Sequence, residues 1–91
     1  MDRRAVDVVI TGQVQGVFFR AQAQERAARL GVTGWVANEP DGSVAGRFEG
    51  APADVDALVD WCRGGPARAR VDDVRVTEAE PSGAASFDVR G

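Results

Sequence analysis

One stretch of nine residues has the types and spacing that could do chemistry: Gly12-Gln13-Val14-Gln15-Gly16-Val17-Phe18-Phe19-Arg20. It joins an apolar run to an amphipathic one. A glycine-containing loop between a strand and a helix commonly holds a phosphate, because successive N–H groups point into it and the positive end of the helix dipole lies behind them. Arg20 falls in the first helical turn and adds a planar, permanently charged fork. We therefore predict an anion site formed by Arg20 and by the main-chain amides of Gly12, Gln13, Val14, Gln15, Gly16, Val17 and Phe18.

The two glycines also have a simpler interpretation, in which Gly12 and Gly16 only let the chain turn from a strand into a helix. The loop is not a Walker A motif, since no Gly-Lys-Ser/Thr closes it, and it is not a Gly-x-Gly-x-x-Gly fingerprint. The position of Arg20 at the mouth of the loop favours the anion site.

Asn38 is the second candidate, at the end of a predicted strand and just before the turn at Pro40-Asp41-Gly42. An isolated Asn in such a place usually bonds its own backbone. The alternative is that Asn38 faces the loop and holds a water molecule beside a bound phosphoryl group.

The composition excludes several reaction classes. The chain has no His and no Lys, and all eleven basic residues are Arg, so a catalytic His, a Schiff-base Lys and a P-loop Lys are ruled out. Cys62 is the only Cys, which excludes a disulfide framework and a thiol metal cluster. We expect no metal and no other cofactor.

Length and charge indicate a single domain over residues 1–91 that works without nucleic acid or a membrane. The net charge is -3, and no apolar run approaches the roughly 20 residues of a membrane span. The first residues lack the apolar core of a signal peptide, so we expect a cytoplasmic protein. We also expect a monomer. An RNA-binding role would need exposed aromatic residues on the central strands and a basic face, and the pattern offers neither.

Periodicity predicts the elements that must position these residues. Alternation marks a strand at Val6–Ile10, and apolar residues at intervals of four, four and three mark a helix over residues 19–30 that ends at Gly31. Two strands, over residues 32–38 and 43–49, flank the turn. A second helix carries the stripe Val55, Leu58, Val59 and Cys62.

A fourth strand follows at Val71–Val76 and a short fifth at Phe87–Val89. The order β-α-β-β-α-β is the split βαβ pattern. It predicts a ferredoxin-like α+β sandwich, an antiparallel sheet with both helices on one face and a short fifth strand, because each helix has only one apolar stripe to bury.

The nine-residue motif, followed by Gly34-Trp35-Val36-Ala37-Asn38 and Asp41-Gly42-Ser43-Val44, closely resembles the acylphosphatases. The resemblance covers almost the whole chain and implies the same ferredoxin-like fold. It also implies that the loop amides and Arg20 bind phosphate and that Asn38 orients the attacking water. The implied reaction hydrolyses an acyl phosphate to a carboxylate and inorganic phosphate by direct in-line attack of water. The alternative is a non-catalytic module of this type that binds phosphate or carbamoyl phosphate.

The chemistry of acyl phosphates fits a chain without His. The leaving carboxylate is a weak base, with a pKa of roughly 4 for comparable acids, so it departs without a proton from a general acid. Phosphoryl transfer through a loose transition state needs mainly positioning and charge stabilisation, which amides, Arg20 and Asn38 can supply.

Overall fold

The structure is a computed structural model that describes residues 2–91. Its elements follow the predicted order, and they confirm the ferredoxin-like α+β fold: β1 (Arg4–Gln13), α1 (Phe19–Leu30), β2 (Thr33–Asn38), β3 (Val44–Gly50), α2 (Pro52–Gly64), β4 (Arg70–Ala79) and β5 (Phe87–Arg90). The five strands form one sheet in the order β4-β1-β3-β2-β5.

The sheet is mixed, so the predicted antiparallel sheet is confirmed for β1 to β4 and was wrong for the pairing of the short fifth strand. The β1–β3, β1–β4 and β2–β3 pairs are antiparallel, whereas β5 pairs with β2 in parallel. The reason is the path of the chain after β4. Residues 80–86 carry the chain from one edge of the sheet to the other, at the end where β4 finishes. The next strand must therefore run back in the direction that β2 already has.

The core lies between the sheet and the two helices. On β1 the side chains of Val6, Val8 and Ile10 are buried, while Asp7 points to the other face and pairs with Arg47 at 2.9 Å (Arg47 Nε to Asp7 Oδ1). The predicted stripe of α2 is confirmed, because Val55, Leu58, Val59 and Cys62 are all buried. On α1 the first three residues of the stripe, Phe19, Ala23 and Ala27, are buried, and the fourth, Leu30, is partly buried against the core. α1 packs over β2 and β5, and α2 over β4, β1 and β3.

A buried carboxylate holds the crossing segment in place. Glu49, at 0% exposure, accepts hydrogen bonds from the Ser82 N–H at 2.5 Å, the Gly83 N–H at 2.9 Å and Arg3 Nη2 at 3.1 Å. Burial alone would raise the pKa of Glu49, but these hydrogen bonds outweigh it and lower the pKa from its ordinary value. The ionised carboxylate thus fixes the path that leads to β5.

The strand directions determine where the predicted site residues meet. β1 and β2 are both antiparallel to β3, and β5 is parallel to β2. The C-terminal ends of β1, β2 and β5 therefore lie at the same end of the sheet. This end of the sheet therefore carries the loop that follows Gln13, the residue Asn38, and the residues Arg90 and Gly91. No helix among residues 2–91 is both long enough and apolar enough to cross a membrane.

Candidate active site

The loop between β1 and α1 is shorter than predicted. Gly12 and Gln13 belong to β1, where they pair with Val71 and Arg70 of β4 after a shift in register. Gly12 has φ 126°, and a Cβ atom there would lie 2.1 Å from the carbonyl oxygen of Arg70. The requirement for Gly12 is thus close strand packing, and the loop itself comprises residues 14–18.

A cleft of about 270 Å³ opens at the end of the sheet where β1 and β2 finish. It is lined by Val14, Gly16, Phe18, Phe19, Arg20, Ala21 and Asn38. It brings together both predicted side chains, Arg20 and Asn38, although they come from different elements. Of the seven residues whose main-chain amides were predicted to bind the anion, Val14, Gly16 and Phe18 also line the cleft. The other four of these residues do not line the cleft: Gly12, Gln13, Gln15 and Val17.

The loop before α1 leaves several main-chain N–H groups unpaired. No turn, loop or cap hydrogen bond between main-chain groups of residues 2–91 is donated by the N–H groups of residues 15–18. Phe18, the N-cap residue just before α1, provides no side-chain cap, and the first turn holds no acidic residue. A helix N-terminus without such partners carries a partial positive charge, which attracts an anion.

The side chain of Gln15 fastens the loop to the β2–β3 hairpin. Its Nε2 donates to the carbonyl oxygens of Glu39 at 2.7 Å and Ser43 at 2.9 Å. Sequence reasoning gave Gln15 only a main-chain role, because its acceptors lie 24 and 28 residues away and no local pattern points to them. The contact fixes the distance between the loop and the strand end that carries Asn38.

The hairpin turn is itself well held. The Ser43 hydroxyl donates to Asp41 Oδ1 at 2.6 Å and the Ser43 N–H donates to the same oxygen at 2.9 Å. These two hydrogen bonds, the hydroxyl first, lower the pKa of Asp41 from its ordinary value. The Glu39 N–H closes the hairpin by donating to the Ser43 carbonyl at 2.9 Å.

Two main-chain oxygen atoms hold Arg20, one at the last residue of β5 and one at the residue after it. Its Nη1 donates to the carbonyl oxygens of Arg90 at 3.0 Å and Gly91 at 2.7 Å. These contacts fix the guanidinium at the cleft and leave its other N–H groups for a ligand. Because they depend on the parallel β2–β5 pair, the sequence pattern gave no sign of them.

Asn38 carries an unusual polar atom. Its Oδ1 is buried and has no hydrogen-bond partner within residues 2–91. Leaving a buried acceptor unpaired costs about 1–3 kcal/mol, and native proteins keep few such atoms. The amide of Asn38 is therefore poorly explained by the needs of the fold, and its place in the cleft suggests a role towards a ligand.

Other potentially reactive groups lie elsewhere. Cys62 is fully buried on α2, and burial raises the pKa of its thiol to about 12, which makes it a poor nucleophile. Within residues 2–91, no three acidic, Cys or His side chains are grouped so that they could hold a metal ion. Arg20 is the one charged side chain among those that line the cleft.

Fold and cleft together define a class: a ferredoxin-like domain in which a loop with unpaired main-chain N–H groups, an arginine and an asparagine meet at one end of the sheet. The family model described as Acylphosphatase matches residues 6–89. The chain belongs to the acylphosphatase family.

Individual relatives agree with this assignment. The chain is 54% identical over 88 residues to an acylphosphatase of Nocardioides sp., across 97% of this chain and 89% of the relative. Among solved structures, the acylphosphatase of Coxiella burnetii superposes with a TM-score of 0.94 at 34% identity, covering 98% of this chain and 94% of the other. Full-length HypF, in a phosphate- and nucleotide-bound form, superposes with a TM-score of 0.92 at 27% identity, but this match covers only 12% of HypF.

Proposed function

We propose that this chain is an acylphosphatase, a hydrolase that converts an acyl phosphate and water into a carboxylate and inorganic phosphate. The observation that carries the proposal is the cleft in which Arg20 and Asn38 meet the unpaired amides of the loop and of α1. Membership of the acylphosphatase family supports the same conclusion.

The phosphate-binding loop comprises residues 14–18 in this proposal. Its N–H groups, those of the first turn of α1 and the free guanidinium N–H groups of Arg20 hold the three non-bridging phosphoryl oxygens. Such donors are in place before the reaction and act where negative charge accumulates, so little reorganisation is needed. The two carbonyls that bind Arg20 and the two that bind Gln15 support this arrangement.

The Asn38 amide orients a water molecule opposite the scissile P–O bond. The water oxygen forms the new bond to phosphorus, and the bond between phosphorus and the acyl oxygen breaks, with its electron pair leaving on the carboxylate. An amide has no useful basicity, so the proton of the water passes to a phosphoryl oxygen of the substrate or to solvent. The carboxylate leaves unprotonated, and the reaction needs neither His nor a general acid.

We further propose that the enzyme works as a cytoplasmic monomer. Arg20 and Asn38, the two side chains assigned to the reaction, meet in one cleft within a single chain, which is compatible with a monomer. The buried, unpaired thiol of Cys62 is compatible with a reducing compartment.

Phosphate release from acetyl phosphate and benzoyl phosphate, compared with release from a phosphomonoester, tests the proposal. We expect turnover of both acyl phosphates and far slower release from the ester, because its alkoxide leaving group is a much stronger base than a carboxylate and needs a general acid to depart. Absence of release from all three substrates, with inorganic phosphate still bound, would instead indicate the non-catalytic binding module.

A further inference from the structure

Phe18 is an exposed aromatic residue at the rim of the cleft. Its exposure is 69%, against 38% for Val9 and 41% for Val89, the two other large apolar residues that are exposed in residues 2–91. The next residue, Phe19, is buried in the core against Trp61, with ring centroids 5.3 Å apart. Core packing therefore explains Phe19 and does not explain Phe18.

The backbone at Phe18 is also unusual. Phe18 has φ 64° and ψ 23°, and it is the one non-glycine residue with positive φ between residues 2 and 91. This left-handed conformation costs an ordinary residue about 1–2 kcal/mol, and glycine would adopt it freely. A bulky side chain that keeps both this cost and its exposure has a reason outside the stability of the fold.

The chemistry of the cleft suggests that reason. Arg20 and the loop amides bind the phosphoryl group, and the acyl group must extend from the bridging oxygen towards the rim. Around that rim the lining side chains other than Arg20 and Asn38 are apolar. Phe18 is largely exposed, and it belongs to the lining of the cleft.

We propose that Phe18 is a specificity-determining residue, whose ring contacts the acyl group and favours acyl phosphates with a bulky apolar or aromatic substituent. The inference depends on the proposed function, since it assigns the substrate class of the same site. The contact is with a part of the substrate that does not react, so it strengthens substrate binding and affects KM more than kcat.

The test compares benzoyl phosphate with acetyl phosphate in the wild type and in Phe18→Gly. Glycine suits the positive φ, so this variant is expected to fold at least as stably as the wild type. An aromatic contact of this kind corresponds to about a 3- to 10-fold change in affinity. We expect the benzoyl-to-acetyl ratio of kcat/KM to fall by about that factor, through KM for benzoyl phosphate, whereas an altered loop main chain would affect both substrates alike and leave the ratio unchanged. Val9→Ala, which trims an exposed apolar side chain outside the cleft, is the matched control.

Each result has one meaning. An unchanged benzoyl-to-acetyl ratio in Phe18→Gly, an equal loss for both substrates, or the same ratio change in Val9→Ala would overturn the inference. The wild type is a separate arm of the experiment: hydrolysis of neither substrate would refute the proposed function and the inference with it. Hydrolysis of both substrates by the wild type, with an unchanged ratio in the variant, would refute the inference alone.

Discussion

The replacement Asn38→Ala separates a catalytic role from a structural one. If the amide orients water, its loss resembles the loss of one positioned donor, and kcat should fall by about 100- to 1000-fold. The affinity for inorganic phosphate should change by less than about threefold, because Arg20 and the loop are untouched.

The same replacement should not destabilise the protein. The Oδ1 atom of Asn38 is buried without a partner, and such an atom costs about 1–3 kcal/mol in the folded state. Its removal offsets the small packing loss of a half-buried side chain, so we expect the free energy of unfolding to stay constant or to rise by about 1 kcal/mol. For a domain of this size 1 kcal/mol corresponds to about 4–8 °C in Tm.

Two measurements on the same preparation decide the matter. Phosphate release from benzoyl phosphate gives kcat, and thermal unfolding followed by circular dichroism gives Tm. Gln22→Ala, which removes an exposed amide outside the cleft on α1, is the control and should leave both values close to the wild type. A variant of Asn38 that keeps full turnover, or that loses several degrees of Tm, would refute the reasoning.

Replacements at three further positions, Arg20, Gln15 and Glu49, test other contacts of the site and of the fold. Arg20→Ala should weaken phosphate binding in calorimetry and lower kcat/KM by at least about 100-fold, and Arg20→Lys should recover only part of the loss because it lacks the planar fork; wild-type kinetics in either variant would contradict the assignment. Gln15→Leu, which frees the loop from the hairpin, should lower kcat/KM about 10- to 100-fold in the phosphate-release assay, with Gln22→Leu unchanged as control; equal effects in the two would count against a positioning role. Glu49→Gln should reduce the free energy of unfolding at pH 7 by about 1–3 kcal/mol, since an amide cannot accept all three donors. The lowered pKa of Glu49 means that its contribution is complete above its ordinary value of 4.5 and is lost as the pH falls through the lower folded-state pKa. Urea midpoints of the wild type and the variant should therefore converge on acidification; a constant difference, or a comparable loss in exposed Glu80→Gln, would contradict this account.

Local patterns in the sequence were sufficient to predict the elements and to propose the candidate site residues. Alternation on β1 and the three- and four-residue spacing on α1 and α2 depend only on which side chains need burial, and those side chains are buried as predicted. Arg20 and Asn38 could be selected because the motif around each is local and specific. The absence of His and Lys already limited the chemistry available at the site.

The extent of the loop was less predictable. Glycine at position 12 is compatible with either a loop or a strand. The sequence shows only that this residue can adopt a positive φ, and both structures can use that freedom. The neighbouring strand decides between them: a Cβ at Gly12 would meet the Arg70 carbonyl, so this glycine permits close pairing with β4.

By itself, the sequence determined the ferredoxin-like order of elements, the two helical stripes and the residues of the candidate site. Each of these follows from local periodicity or from a contiguous motif. Only the tertiary structure decided what surrounds those residues. The crossing of residues 80–86, anchored on Glu49, makes β5 parallel to β2 and brings the carbonyls of Arg90 and Gly91 to Arg20. The hydrogen bonds of Gln15 and the unpaired oxygen of Asn38 likewise arise between elements distant in the chain, where no local pattern can record them.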